Sequence, residues 1–109
     1  MATYTPKNKR QAVGTSYAEV YACPSATSAV VLMCQVSNVD GVYDADISVK
    51  WLDTSATTET RIAEAITVPA KASIGLLDGP LILEAGDSIQ AFASAAGDLE
   101  LTLSIVEIS

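Results

Sequence analysis

The sequence predicts an all-β protein, an antiparallel β-sandwich of jelly-roll-like type with about eight strands. Three observations carry that expectation. Apolar residues recur mostly at every second position, the period of a strand with one buried face. Turn-forming residues interrupt these runs at short intervals. The 109 residues are 50% hydrophobic, but only one is Phe and one Trp, so the apolar set is mostly Val, Ile, Leu and Ala. A chain of this length fits one domain and buries roughly two-thirds of its unfolded surface. Many short strands between frequent turns is the pattern of sandwiches and jelly rolls.

The strands follow from local pattern. Leu99, Leu101, Leu103 and Ile105 alternate with Glu100, Thr102 and Ser104, which predicts a half-buried strand. Ile47, Val49 and Trp51 share a face opposite Ser48 and Lys50. Residues 28–37, SAVVLMCQVS, are apolar at nearly every position, as in a central strand covered on both faces. In residues 59–69, ETRIAEAITVP, Ile62, Ile66 and Val68 fall on one side, although the Ala and Glu content also permits a short helix. Turn chemistry separates the runs at Asn38-Val39-Asp40-Gly41, Asp78-Gly79-Pro80, Ala85-Gly86-Asp87 and Ala96-Gly97-Asp98. There Gly accepts positive φ and Asp bonds its own turn backbone. No internal repeat or low-complexity linker is visible.

The formal net charge of −7 is unevenly spread. Lys7, Lys9 and Arg10 are half of the six basic residues, and no acid precedes Glu19. Residues 1–10 therefore read as a basic N-terminal arm, outside a sandwich domain of residues 11–109. An acidic body repels phosphate backbones, so nucleic acid is not an expected partner. The arm residues Lys7, Lys9 and Arg10 are instead candidates for docking on an acidic surface of a neighbouring subunit. On that reading, deleting residues 1–10 leaves the fold intact and weakens assembly. No apolar run approaches the roughly 20 residues needed to span a bilayer, so no membrane association is expected. The N-terminus lacks the apolar core of a secretory signal, which points to synthesis and folding in a cytosol. Cys23 and Cys34 then read as reduced thiols, with Cys34 buried in its apolar run. A bridge between them would require the two segments to lie side by side.

No residue set reads as catalytic. Gly86-Asp87-Ser88 matches the tripeptide that carries the nucleophile of one class of esterases. A serine hydroxyl needs a base, however, and the chain has no histidine. Ser88 is therefore expected to be a turn residue that opens the next strand. Asp40, Asp44 and Asp46 form an oxygen-rich group with Gly41, but they lack the spacing of a calcium loop and read as solvated loop acids. There is no Cys/His metal spacing, no phosphate-binding glycine loop and no dinucleotide fingerprint, so neither a metal nor a cofactor is expected. Tyr4, Tyr17, Tyr21 and Tyr43 leave open a second reading, a carbohydrate-binding β-sandwich module used in host-surface attachment.

The order of segments adds a resemblance. SYAEVYACPSATSAVVLMCQVSN ends a strand at Pro24 and leads through small residues into an apolar strand that closes on Asn38. DISVKWLD follows, then AITVPAKASIGLLDGPLILEAGDSIQAFASAAGDLELTLSIVEIS. From about Thr15 to Glu107 this resembles small virion structural proteins of tailed bacteriophages. The resemblance implies a non-enzymatic β-sandwich serving as head decoration, neck or collar, or tail component. It implies a homo-oligomer, contacts with other virion proteins, location in the virion and assembly in the host cytoplasm. It carries over no catalytic residues, and Cys23 and Cys34 depart from its pattern.

Overall fold

A computed structural model describes residues 2–109 as nine strands in two antiparallel sheets. Among these residues there is no helix, and so none long and apolar enough to cross a membrane. The strands are β1 (Tyr4–Ala12), β2 (Ala18–Ala22), β3 (Ser28–Asn38), β4 (Ala45–Asp53) and β5 (Thr58–Val68), then β6 (Ser73–Gly75), β7 (Leu81–Leu83), β8 (Ser88–Ala93) and β9 (Leu99–Ile108). One sheet has the order β1-β9-β3-β6, with β7 also paired to β3; the other runs β2-β8-β4-β5.

β6 pairs with Gln35–Ser37 and β7 with Ala29–Val31, so both lie along the same edge of β3. They are two pieces of one strand. Asp78-Gly79-Pro80 interrupts it, since Pro80 has no N–H for the ladder. Counted that way there are eight strands, and the chain changes sheet at every connection except the β4–β5 hairpin. That is jelly-roll connectivity.

The inner faces meet in one core. β9 contributes Leu99, Leu101, Leu103 and Ile105, β4 contributes Ile47 and Val49, and β3 contributes Val31 and Val36, all essentially inaccessible to water. The β9 and β4 alternations are thus borne out. Trp51 is only partly buried and packs on the rim of this core.

Three expectations change. Within the expected arm, residues 4–10 are part of a sheet: Tyr4–Ala12 pairs rung for rung with Ile108–Glu100 as the edge strand β1. The stretch carries no apolar alternation because almost all of β1 is exposed; backbone pairing with β9, not side-chain burial, makes it a strand. β3 is covered on one face rather than two. Its residues alternate between buried and accessible, with a bulge between Val31 and Met33 that leaves Leu32 53% exposed.

β5 is a strand, not a helix, but Ile62, Ile66 and Val68 do not share one buried face. Ile47 and Val49 of β4 stand opposite Ile66 and Ala63, so three steps on β5 match two on β4. The extra residue puts Ala65 at φ 49°, and Ala63 and Val68 take the core positions, while Ile66, opposite Ile47 on the edge strand, stays 41% exposed. The Ala65 N–H donates to the buried Ser48 hydroxyl at 2.9 Å, which satisfies both groups at the bulge.

Candidate functional site

Gly86-Asp87-Ser88 is built as a turn. Gly86 has φ 87°, a conformation costly for any residue with a Cβ. Asp87 is fully buried. Its Oδ1 accepts the Thr54 N–H at 3.1 Å, and its Oδ2 accepts the Glu84 N–H at 3.0 Å and the Trp51 indole N–H at 3.4 Å. One carboxylate thus ties the β4–β5 turn to the entry of β8. Ser88 follows as the first β8 residue, paired with Ala22 and Leu52, in the role expected of it. Carboxylate oxygens of Asp53, Glu84 and Asp87 lie within 4.8 Å of one another, but Asp53 and Asp87 are capping groups here. Asp53 Oδ1 accepts the Ser55 hydroxyl at 2.9 Å and the Ala56 N–H at 3.2 Å.

The acids of residues 40–46 are likewise occupied locally. Asp40 Oδ1 accepts the Val42 and Tyr43 N–H groups at 2.7 and 3.3 Å. Asp44 Oδ1 accepts the Ala70 N–H, and Asp46 Oδ1 the Thr67 hydroxyl. Buried Asn38 completes this loop. Its Nδ2 donates to the carbonyls of Tyr43 and Val68, and its Oδ1 accepts the Asp40 N–H. The loop is therefore preorganised, and it presents Val39, Val42 and Tyr43 to solvent at 54, 74 and 70% exposure.

The three basic residues of the N-terminus lie on one strand but face two ways. Lys7 and Lys9 stand opposite Ile105 and Leu103, on the inner side of β1. Lys7 forms an ion pair with Glu107 at 3.0 Å, and Glu107 also accepts the Tyr21 hydroxyl at 2.5 Å. Those two partners, Tyr21 first, hold the Glu107 carboxyl below the usual carboxylate range. Arg10 stands opposite Thr102 on the outer side. Among the described residues, Lys9 and Arg10 make no ion pair within the chain.

The four tyrosines do not form one platform. Tyr21 is buried. The Tyr17 ring packs edge-on against Phe92 at 4.6 Å, with the Lys50 ammonium 4.1 Å from its centre. Tyr4 and Tyr43 are exposed, but Tyr4 is level with the start of β3 and Tyr43 follows its far end.

Sequence reasoning missed the outer face of the β1-β9-β3-β7 sheet. Directly opposed residues share a face, so the register assembles rows across the strands. One row is Pro6, Val106, Val30 and Ile82, running unbroken over four strands. The adjacent row toward the termini is Tyr4, Ile108 and Ser28, and the one on the other side is Asn8, Ser104 and Met33. These three rows contain no charged residue. Leu32, Ile82 and Tyr4, at 53, 64 and 66% exposure, stand out from them. The available signal was the alternation Val30, Leu32 within the apolar run, which reads as burial until the strand is known to have a wet face.

No protein-family model matches the chain, and no curated protein matches it. Solved structures do resemble it. A protein in the acid-stable capsid of Helicobacter pylori bacteriophage KHP30 superposes with a TM-score of 0.58 at 13% identity, over 100% of this chain and 94% of that one. A protein of Bacillus endospore appendages, described as a novel family of disulfide-linked pili, gives 0.56 at 12% identity, over 98% of this chain and 86% of that one. A chain of infectious bursal disease virus, Gx strain, gives 0.55 at 7% identity; 99% of this chain matches 32% of that longer one. The fold of this protein is therefore the β-sandwich found in phage and viral capsids and in a pilus.

Proposed function

We propose that this protein is a non-enzymatic structural component of a tailed-phage virion, which stabilises or decorates the particle through protein–protein contacts. Head decoration, neck or collar, and tail are the positions such a domain fills. It does so as a homo-oligomer and in contact with other virion proteins, after assembly in the host cytoplasm. The observation that carries this reading is the pair of preorganised apolar surfaces on a jelly-roll frame: the uncharged outer rows of the β1-β9-β3-β7 sheet and the Val39–Tyr43 loop. Contiguous exposed apolar surface on a small acidic domain marks a protein contact. The frame superposes over its whole length on a phage capsid protein, which supports the virion setting. The acids and Ser88 of the two candidate chemical motifs act in this structure as turn caps and a strand start.

Mass spectrometry of virions banded on a density gradient tests the proposal. The chain is expected at a level stoichiometric with the other particle proteins. Its absence from purified particles, with the free protein remaining at the top of the gradient, overturns the virion reading.

A further inference from the structure

The edge of β9 is a seat shaped for one particular strand. β1 and β9 run in register over nine pairs without a shift, and β9 contains no proline. Thr3 and Ser109 exchange backbone bonds at 2.7 and 2.9 Å, and at the other end the Val13 N–H donates to the Leu99 carbonyl. The odd-numbered residues of β1 therefore bond to β9, and the even-numbered ones turn their backbone groups to the free edge.

Among the described residues, each free sheet edge is blunted against a further strand. On β1 that edge includes Pro6, which has no N–H to offer, and Lys7 and Lys9 point inward beside it. β2 has five residues and a bulge between Glu19 and Tyr21. β5 shifts register twice against β4, and bulges bend an edge away from pairing. β6 and β7 have three residues each and are parted by Asp78-Gly79-Pro80. A second copy therefore finds one long, regular backbone seat, the β9 edge, and finds it only when β1 leaves.

β1 is lightly held. None of its side chains is buried, and its one side-chain bond among the described residues is the Lys7–Glu107 ion pair. An exposed ladder with no apolar burial is the kind of element that opens first. Beyond β1, Val13 is buried and the Gly14 carbonyl accepts the Ala93 N–H at 2.7 Å. Thr15 and Ser16 are exposed and belong to no strand, and Tyr17 is packed against Phe92. The movable unit is thus residues 4–14, and its hinge is Thr15-Ser16.

We propose that two copies exchange this unit, so that β1 of each lies on β9 of the other. Every contact is then remade between chains: Lys7 reaches Glu107 of the second copy, and Val13 enters that copy's core. This gives the homo-oligomer of the structural reading a contact and a partner, and it stands whether or not that oligomer belongs to a virion. Because both forms hold the same contacts, concentration decides between them. A strand on a short tether meets its own seat at an effective concentration of about millimolar. Exchange is therefore slight at micromolar protein and substantial near millimolar, or wherever an assembly holds copies side by side.

A disulfide trap tests the exchange. Asn8 and Ser104 are opposed in a pair that shares no backbone bonds, the closer kind of cross-strand pair, at a spacing a disulfide can bridge. Asn8→Cys and Ser104→Cys are made as separate proteins and incubated together, folded, in an oxidising glutathione buffer. Neither protein alone can form the bond between these two positions. After incubation at about 1 mM, intact mass is expected to show a covalent dimer of one chain of each kind, at least about tenfold more than at about 10 μM. Peptide mapping should place the bond between the two substituted positions. Arg10→Cys with Thr102→Cys, opposed in the same way, replaces the pair if either variant melts below the wild type. Bonds between like chains alone, or no covalent dimer, overturn the exchange and leave the virion reading standing. Absence of the chain from gradient-purified virions bears on the virion reading alone.

Discussion

Tyr21 and Glu107, 86 residues apart in sequence, join the two sheets at the open side of the sandwich: the Tyr21 hydroxyl on β2 donates to the Glu107 carboxylate on β9 at 2.5 Å. Lys7 of β1 approaches the other oxygen of the same carboxylate at 3.0 Å. Burial first and the anionic partner second push the Tyr21 hydroxyl pKa up, so the phenol stays protonated as the donor. Three strands from both sheets thus meet at one carboxylate.

Removing the Tyr21 hydroxyl separates these contributions. Tyr21→Phe is expected to cost about 1–2 kcal/mol by urea unfolding at neutral pH, the value of a hydrogen bond to a charged acceptor. The Lys7 pair is nearly half exposed, so Lys7→Met should cost under about 1 kcal/mol. The Glu107 carboxyl lies below its ordinary value of 4.5 in the folded protein, so its contribution is present above that pH and is lost as the solution is acidified through the lower folded value. A plot of stability against pH should therefore fall on the acid side, and Tyr21→Phe should flatten that limb. An unchanged acid limb would show that Glu107 does not report on this cluster.

Asp87 is expected to be the most sensitive polar residue. Asp87→Ala leaves the Thr54 and Glu84 N–H groups and the Trp51 indole without their acceptor, at a cost of about 2–4 kcal/mol. Gly86→Ala should cost about 1 kcal/mol from its φ of 87° alone, because a Cβ there meets Thr54 only at an ordinary 3.7 Å. Trp51 lies at the core rim, so Trp51→Ala should cost about 2 kcal/mol, less than the roughly 3–5 of an enclosed ring. Thermal melting of the three variants checks the order. Asp87→Ala melting like wild type would remove the turn from the stabilising features.

Deleting residues 1–10 should lower stability, contrary to what a detached arm predicts. β9 would lose its partner along Tyr4–Arg10 and become a bare edge over Thr102–Ile108. A loss of at least about 1 kcal/mol, a fall in Tm of roughly 4–8 °C, is expected by calorimetry. A truncated protein with wild-type Tm would show that β1 adds nothing to the sandwich.

Neither thiol should react while the protein is folded. Burial pushes the Cys34 thiol up to about 12, which leaves almost no thiolate at neutral pH. Cys23 is also buried, its pKa raised by burial and then by Glu107 and Asp87, and its thiol donates to the Thr27 carbonyl at 3.2 Å. Intact-mass analysis after iodoacetamide treatment should show no adduct in buffer and two in denaturing urea, one for each cysteine. An adduct formed in buffer would show that a thiol-bearing segment opens in the folded state.

Much of the fold was legible because a buried face leaves a period of two. Leu99 to Ile105 and Ile47 to Val49 announced their strands and their orientation, and Gly86-Asp87 announced its turn. β1 was not legible, since a strand exposed on both faces has no apolar period and is defined only by its ladder with β9. The wet face of β3 and the bulge at Ala65 were hidden for a related reason. An apolar residue reads the same whether it points into a core or out to a partner, and one inserted residue reverses every side chain beyond it. Composition and alternation by themselves determined an acidic, all-β, jelly-roll-like domain without a histidine. Only the tertiary structure decided that residues 4–12 close one sheet, that Glu107 links the sheets, and that Val30, Leu32 and Ile82 face outward. Register between distant strands sets these, and register is a property of the pairing, not of either strand alone.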